Sequence, residues 1–419
     1  MKKNLLTTLI ISLIVCSAFA QQFDLSAELR PRYENRHGFQ SLLDTNEEGS
    51  NFISQRTRLN FDFKNEKLKL KIVMQNIRVW GDVGTLSSDD KTSALHEAWA
   101  EAILNTKTSF KLGRQEISYD DQRIFGSVGW AQQARSHDAI LFKYIPNANN
   151  ILEIGFALNT DSQSNIDILY SNAAGYKSLQ YAWYHGDFDK IGVSFLLLNT
   201  GIEYLDVGDN QTIDYMQTIG PRLTYKSGKF NANAAAYFQT GKSKNAKVSA
   251  SYFTGNIGYK FTTEWSLGLG VEQLSGTDSN ASSTDIKSFA PLFGTNHKFN
   301  GYMDYFYVGN HANSVGLTDI NMTLGYSKNK FSAKLIPHLF SAAAGVFDGT
   351  TKMDASLGTE IDFTIGYKVA KEINLNAGYS KLFATDTLEV LKGGDKDENN
   401  SWAWVMITFK PSLFSHKGI

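Results

Sequence analysis

From Phe23 to Glu34 apolar and polar side chains alternate without a break: Phe23, Leu25, Ala27, Leu29, Pro31 and Tyr33 against Asp24, Ser26, Glu28, Arg30, Arg32 and Glu34. Successive side chains of a β-strand point to opposite faces, so this period of two dictates a strand with one apolar and one charged face. The pattern returns at Ile53, Thr57, Leu59, Phe61 and Phe63 against Ser54, Arg56, Arg58, Asn60 and Asp62. It returns again at Leu357, Ile361, Phe363, Ile365 and Tyr367 against Ser356, Glu360, Asp362 and Thr364.

Marking every such run predicts strands near 23–35, 52–64, 67–80, 95–105, 108–118, 136–146, 149–159, 177–188 and 191–201. Nine more are predicted near 213–227, 229–242, 247–261, 264–276, 317–328, 330–341, 355–370, 372–384 and 400–410. Every second connection is a tight turn, as at Lys64 to Lys67, Asn105 to Thr108, Lys328 to Lys330 and Ala370 to Glu372, while the others are mostly long and polar. The longest runs from about Ser275 to Gly316. An even strand count with short turns at one rim and long loops at the other predicts an all-β fold, a single antiparallel transmembrane barrel. A soluble sandwich or propeller predicts no such alternation of connection length.

The first twenty residues read as a cleavable export signal: Lys2 and Lys3, an apolar run from Leu5 to Val15, and an Ala18-x-Ala20 ending. One barrel is therefore expected over 21–419. Cys16, the one cysteine, lies within that signal and follows Val15 where a lipoprotein signal needs a small residue. The mature chain is thus expected to have neither disulfides nor thiol chemistry. Beyond the signal no apolar run approaches the roughly eighteen residues a membrane helix needs, which leaves the closed barrel as the way to cross a bilayer. Removing Lys2 and Lys3 takes the formal charge from −1 to −3, a balance that argues against nucleic acid as a partner. Lipid and lipopolysaccharide of a Gram-negative outer membrane are the expected surroundings. Trp80, Trp99, Trp183, Tyr225, Trp265, Tyr326, Tyr367 and Trp402 lie towards predicted strand ends, where interfacial girdles form.

With the apolar face against lipid, the charged face meets an aqueous lumen, because an arginine at the bilayer midplane costs about 2–4 kcal/mol. Nine of the ten arginines fall in the first third: Arg30, Arg32, Arg36, Arg56, Arg58, Arg78, Arg114, Arg123 and Arg135. Arg30 and Arg32 on the first strand and Arg56 and Arg58 on the second are expected side by side in the channel. Arg78 is expected to join them through a bulge near Asn76, since its parity otherwise matches Leu68, Leu70, Ile72 and Met74. In GRQEISYDDQRIFG (113–126) a strand passes into the third long loop, which predicts Arg114 facing the lumen and Arg123 at an inward-folded constriction. Two readings of this wall follow: recognition of passing carboxylates by guanidinium groups, or a lining neutralised by its own Glu28, Glu34 and Asp62.

No serine elbow, phosphate-cradling glycine loop or metal spacing among His185, His297, His311 and His338 points to an enzyme, a cofactor or a metal. The acidic loop DKDENN (395–400) could bind calcium, though a solvated loop is the commoner origin of such a run.

RTRLNF (56–61), NIRVWGD (76–82), LHEAWAE (95–101), LGRQEISYDDQRIFG (112–126), the segment from Trp130 to RSHDAI (135–140), FAPLFGTNHKFNGYMDYF (289–306) and LGTEIDF (357–363) resemble the alginate export family of outer-membrane porins. That resemblance implies an eighteen-stranded barrel passing an anionic uronate polysaccharide through a lumen rich in arginine and acidic side chains. It also implies that Arg56, Arg58, Arg78, Arg114, Arg123, Arg135, Asp138, Glu360 and Asp362 belong to pore-lining segments. Arg222 alone follows position 135, so the arginine wall is one-sided, and Lys334 and Lys368 are candidates to complete it. Uptake of oligosaccharides is equally compatible with these residues. The alternative is a general or plugged barrel serving as nonselective porin, anchor or surface receptor.

Overall fold

The computed structural model describes residues 21–418 apart from 90–91, 172–174, 308–310 and 312–313; the expected export signal lies outside the described residues. Eighteen antiparallel strands close into one barrel. Nine are Gln22–His37, Ser50–Lys64, Leu68–Val79, Ser93–Ile103, Thr108–Gln115, His137–Asn147, Asn150–Leu158, Ser178–Phe188 and Ile191–Leu205. Nine follow: Gln211–Ser227, Phe230–Ser243, Ala246–Lys260, Trp265–Leu274, Leu317–Lys328, Phe331–Ser341, Ser356–Ala370, Ile373–Ala384 and Ser401–Phe409. The first strand closes the sheet by pairing with the second, Gln22 opposite Lys64, and with the last, Tyr33 opposite Val405. After an interruption at Pro411, whose carbonyl accepts from the Ala27 N–H at 3.1 Å, Ser412–Lys417 continues the seam along the first strand. Closure matters because an open edge in hydrocarbon would leave unpaired backbone groups.

The period of two sets the two faces. Leu59, Met74, Leu112, Ile140, Leu223, Leu269, Ile320 and Phe363 are exposed on the outside, an apolar belt that only lipid can cover. The short turns form one rim, the periplasmic side of such a barrel. The other connections are long, with two departures from expectation: 206–210 has five residues, and Lys244-Asn245 is a two-residue hairpin loop with both residues at positive φ. Trp80, Tyr225, Trp265 and Tyr367 are exposed, as a girdle requires, and Tyr326 is half-buried beside Trp265, their rings 4.8 Å apart. Trp99, Trp183 and Trp402 correct that expectation, because their parity turns them inward. Trp99 carries the Lys111 ammonium at 4.1 Å, Trp183 stacks on Tyr119 at 4.4 Å, and Trp402 is fully buried.

Two loops enter the barrel. Residues 116–136 (the third outer loop) and 275–316 (the seventh) meet where Phe125 bridges Phe293, with their rings 5.6 Å apart. Gly126 N–H donates to the Phe293 carbonyl at 2.9 Å and Thr295 N–H to the Gln122 carbonyl at 2.8 Å. Phe125, Met303 and Tyr305 are almost wholly buried there, and Tyr305 donates to the carbonyls of Gly38 and Ser41 in the first outer loop. A short helix, Asp386–Lys392, capped by Thr385, adds the buried Leu388. Each large apolar side chain buried this way contributes about 1.5–3 kcal/mol. The outer half of the lumen therefore holds a folded core.

Candidate functional site in the barrel lumen

The arginines of the first two strands are brought together as expected, and Arg30, Arg32 and Arg56 are occupied. Arg30 donates to the side-chain oxygen of Gln132 at 2.9 Å and to the carbonyls of Gly129, Trp130 and Ala131 at 2.8, 3.0 and 3.2 Å. Arg32 pairs with Glu34 at 2.8 Å, donates to the Trp130 carbonyl at 2.9 Å and lies 4.2 Å from the centre of the Trp130 ring. Arg56 pairs with Glu28 at 2.5 Å, and Glu28 also receives Lys410 at 2.8 Å. Arg58 is only partly engaged: its Nε donates to Gln75 at 2.7 Å, Glu116 is 4.0 Å away, and its buried Nη2 has no partner among the described residues. Guanidinium groups offer several fixed donors, which suits them to gather consecutive carbonyls. Here they hold the inner turn of the third loop against the wall.

Three expected pore residues face the other way. Arg78 stands opposite Gln55 in an unbroken register with the second strand, on the face opposite Arg56, and donates to Asn76 at 3.0 Å. The irregularity in that strand lies at Val73/Met74, towards the fourth strand, and does not turn Arg78 inward. Arg114 shares the parity of the lipid-facing Phe110 and Leu112, and it pairs outside the barrel with Asp138 at 2.8 Å. All three sit near the outer ends of their strands, where an outward charge costs only about 0–1 kcal/mol.

The rest of GRQEISYDDQRIFG is spent on internal contacts. Asp120 accepts from Ser194 at 2.5 Å and Trp183 at 3.0 Å, Asp121 pairs with Arg222 at 2.5 Å, and Glu116 meets His96 at 2.7 Å. Arg123, 2% exposed, donates to Glu272 at 3.0 Å and Asn300 at 2.9 Å, and Arg135 donates to the Gly294 carbonyl at 3.0 Å. Ile117 and Ile124, two of the segment's few apolar side chains, are buried in the plug.

Across the lumen Glu360 and Asp362 hold the seventh loop. Met303 N–H donates to Glu360 at 2.8 Å, and Tyr302 N–H donates to Asp362 at 3.1 Å. Gly301 permits this approach: its φ is +82°, and a Cβ there would stand 2.6 Å from the Glu360 carboxylate. Asp362 also accepts from Ser380 at 2.5 Å and lies 3.6 Å from His338, which bonds Asp319 at 2.9 Å. Sequence reasoning passed over Glu272 and Asp319 and named His338 only as a histidine without metal spacing. The available signal was their inward parity, with one acidic or imidazole side chain on each of three consecutive strands.

Beneath the plug a cavity of about 680 Å³ reaches from Trp130, His297 and Tyr302 to the periplasmic turn at Thr263-Glu264. Trp130 and His297 stack at 4.6 Å, His297 and Tyr302 at 5.4 Å, and Trp404 meets Trp130 edge-on at 4.7 Å. Trp404 lies flat because Gly378 opposes it; a Cβ there would come within 2.4 Å of the indole nitrogen. Lys298 and Lys334 line the same space, and a second hollow of about 330 Å³, sharing Ser332, Gly366 and Asn376, carries Lys330, Lys368 and Lys410 to the rim. The side chains of Lys334 and Lys368 make no ion pair or hydrogen bond among the described residues. Lys298 donates to the Asp121 carbonyl at 3.0 Å. Desolvation holds its ammonium below the ordinary lysine range; the Asp121 carboxylate opposes that shift, and the cations Arg222 and Lys334 add to it. The acids of the 395–400 loop serve as stitches: Asp395 accepts from Thr45 at 2.7 Å and from the Asp397 N–H at 2.8 Å.

The fold is that of known outer-membrane channels. OccAB4 of Acinetobacter baumannii aligns with TM-score 0.64 at 11% identity, covering 94% of this chain and 98% of its own. A BenF-like porin from Pseudomonas fluorescens Pf-5 aligns at 0.62 and 13% identity over 93% and 99%. OpdK of Pseudomonas aeruginosa, solved with vanillate, aligns at 0.61 and 12% identity over 94% and 100%. The search of curated proteins gives no match. The sequence profile described as alginate export matches residues 21–403, nearly the whole barrel. The chain belongs to the alginate export family of outer-membrane β-barrels in Gram-negative bacteria.

Proposed function

We propose that this barrel is a diffusion channel for anionic carbohydrates, and that lysines select its solutes. One observation carries the reading: Lys334 and Lys368 project into an aromatic-lined lumen with no internal partner among the described residues. An unpaired ammonium in a narrow, poorly hydrated passage attracts anions and repels cations, and neighbouring lysines offer a solute several weak sites in series. The arginines of the first two strands act instead as positioning residues for the third loop, and Arg222, Arg123 and Arg135 hold the plug. No step here requires a catalytic group, a cofactor or a metal. The whole of 21–419 serves as one barrel in this reading.

A planar-bilayer recording tests it. The expected result is a conductance whose reversal potential favours chloride over potassium and which added uronates partly block. Cation preference, or indifference to uronates, overturns it. The interlocked third and seventh loops favour a second reading, a closed barrel that acts as anchor or receptor. Proteoliposome swelling in small sugars separates the two, because a closed barrel admits no solute.

A further inference from the structure

The channel reading leaves the size of the solute open, and three features of the lumen bear on it. The plug forms a roof. Above the cavity, Phe125, Phe293, Met303 and Tyr305 narrow the lumen with a packed core whose members are all at most 8% exposed. A polymer strand would have to displace that core along with the bonds from Arg30 and Arg123. The cavity below is of ligand size, since about 680 Å³ falls within the roughly 300–1,000 Å³ typical of pockets for single small molecules. Its chemistry has two parts. Tyr302 supplies aromatic surface for the C–H face of a sugar ring, with the largely buried Trp404 on the same lining, while Lys298 and Lys334 supply cations for a carboxylate.

We infer that this cavity is a binding site for a short acidic saccharide, of one to a few rings, reached through the Lys330, Lys368 and Lys410 mouth at the periplasmic rim. The inference rests on the channel reading for its biological setting, but binding at the cavity is a separate property. The ring lies against Tyr302, on the wall that Trp404 shares, with its carboxylate between the two lysines. Hydroxyl groups find Ser332 and Asn376 on the wall.

The experiment uses the full barrel in detergent. Its tryptophan fluorescence is titrated with uronate monomer, dimer, trimer and longer oligomers, with neutral oligomers of equal length, and with vanillate. Saturable quenching that strengthens from monomer to trimer and then levels off is expected, with neutral oligomers at least about tenfold weaker. Lys334→Gln is expected to weaken the acidic trimer about tenfold while the barrel keeps its heat-modifiable gel shift, which shows that it has folded. Affinity that keeps rising with chain length overturns the inference in favour of a polymer track. Equal binding of neutral oligomers, or tighter binding of vanillate than of any uronate, overturns it in favour of a different ligand class. Trp404→Phe guards against a quench that arises elsewhere: an unchanged signal and affinity places the ligand outside this cavity. A bilayer recording without conductance alongside saturable quenching would reject the channel and keep the site.

Discussion

Two neighbouring sectors of the lumen carry concentrated positive charge and use it differently. On the first two strands Arg30, Arg32, Arg56 and Arg58 are turned to carbonyls, amides and carboxylates of the protein itself. Towards the periplasmic end of the strands Phe331–Ser341 and Ser356–Ala370, Lys334 and Lys368 line adjoining hollows and make no ion pair or hydrogen bond among the described residues. The difference teaches that a count of cations along a pore wall does not measure its field. A planar guanidinium suits the gathering of fixed oxygens, and a flexible ammonium left over suits a passing anion.

Breaking the loop clamp has the largest expected effect. Arg123→Ala removes the cation that Glu272 and Asn300 share, leaving Glu272 only its neutral donors Tyr252 and Asn300, and loss of one member of a buried ion pair costs about 3–5 kcal/mol. The urea midpoint of the detergent-held barrel should fall, and single-channel conductance should rise several-fold as the third and seventh loops separate. A conductance equal to that of the parent would sink the plug. Arg30→Ala with Arg32→Ala comes next, freeing the 129–132 turn; conductance and current noise should rise with the reversal potential nearly unchanged. A large loss of anion preference in that double variant would show that the arginines, after all, set selectivity.

The lysines should give the reverse pattern. Lys334→Gln with Lys368→Gln is expected to cut the chloride-to-potassium permeability ratio a few-fold at low salt with little change in stability or conductance, and the effect should fade at molar salt, where screening acts within about 3 Å. Raising pH has a smaller effect of the same kind. Lys298 loses its charge at lower pH than an ordinary lysine, so anion selectivity should begin to decline below the usual lysine range of about 10.4, and a flat profile up to that range would contradict it. The smallest effect belongs to Arg78→Ala: on the outer face, it should leave the reversal potential unchanged.

How much of this was legible in the chain varies with the range of the contact. Strand 317–328 is found where alternation places it, and the tight turns fall at 64–67, 105–108 and 328–330 as read. These are local consequences of a period of two and of turn-forming residues. Arg114 shows where reading failed: parity already grouped it with Phe110 and Leu112, but its charge argued for the lumen, and the height at which outward charge becomes cheap was not apparent. Glu360 and Asp362 were correctly assigned inward, yet their use as acceptors for the 302–303 backbone had no local sign.

By itself the sequence determined the strand number, the closed antiparallel sheet, its lipid-facing side and the family, because alternation and connection length are written residue by residue. Only the tertiary structure decided which luminal charges remain available. Arg30 meets Gln132 across 102 positions and Arg123 meets Asn300 across 177, and such pairings depend on loops returning into the barrel. No local pattern encodes that return. In this protein, it engages Arg30, Arg32, Arg123 and Arg135 in the plug and leaves Lys334 and Lys368 without an ion pair or hydrogen bond among the described residues.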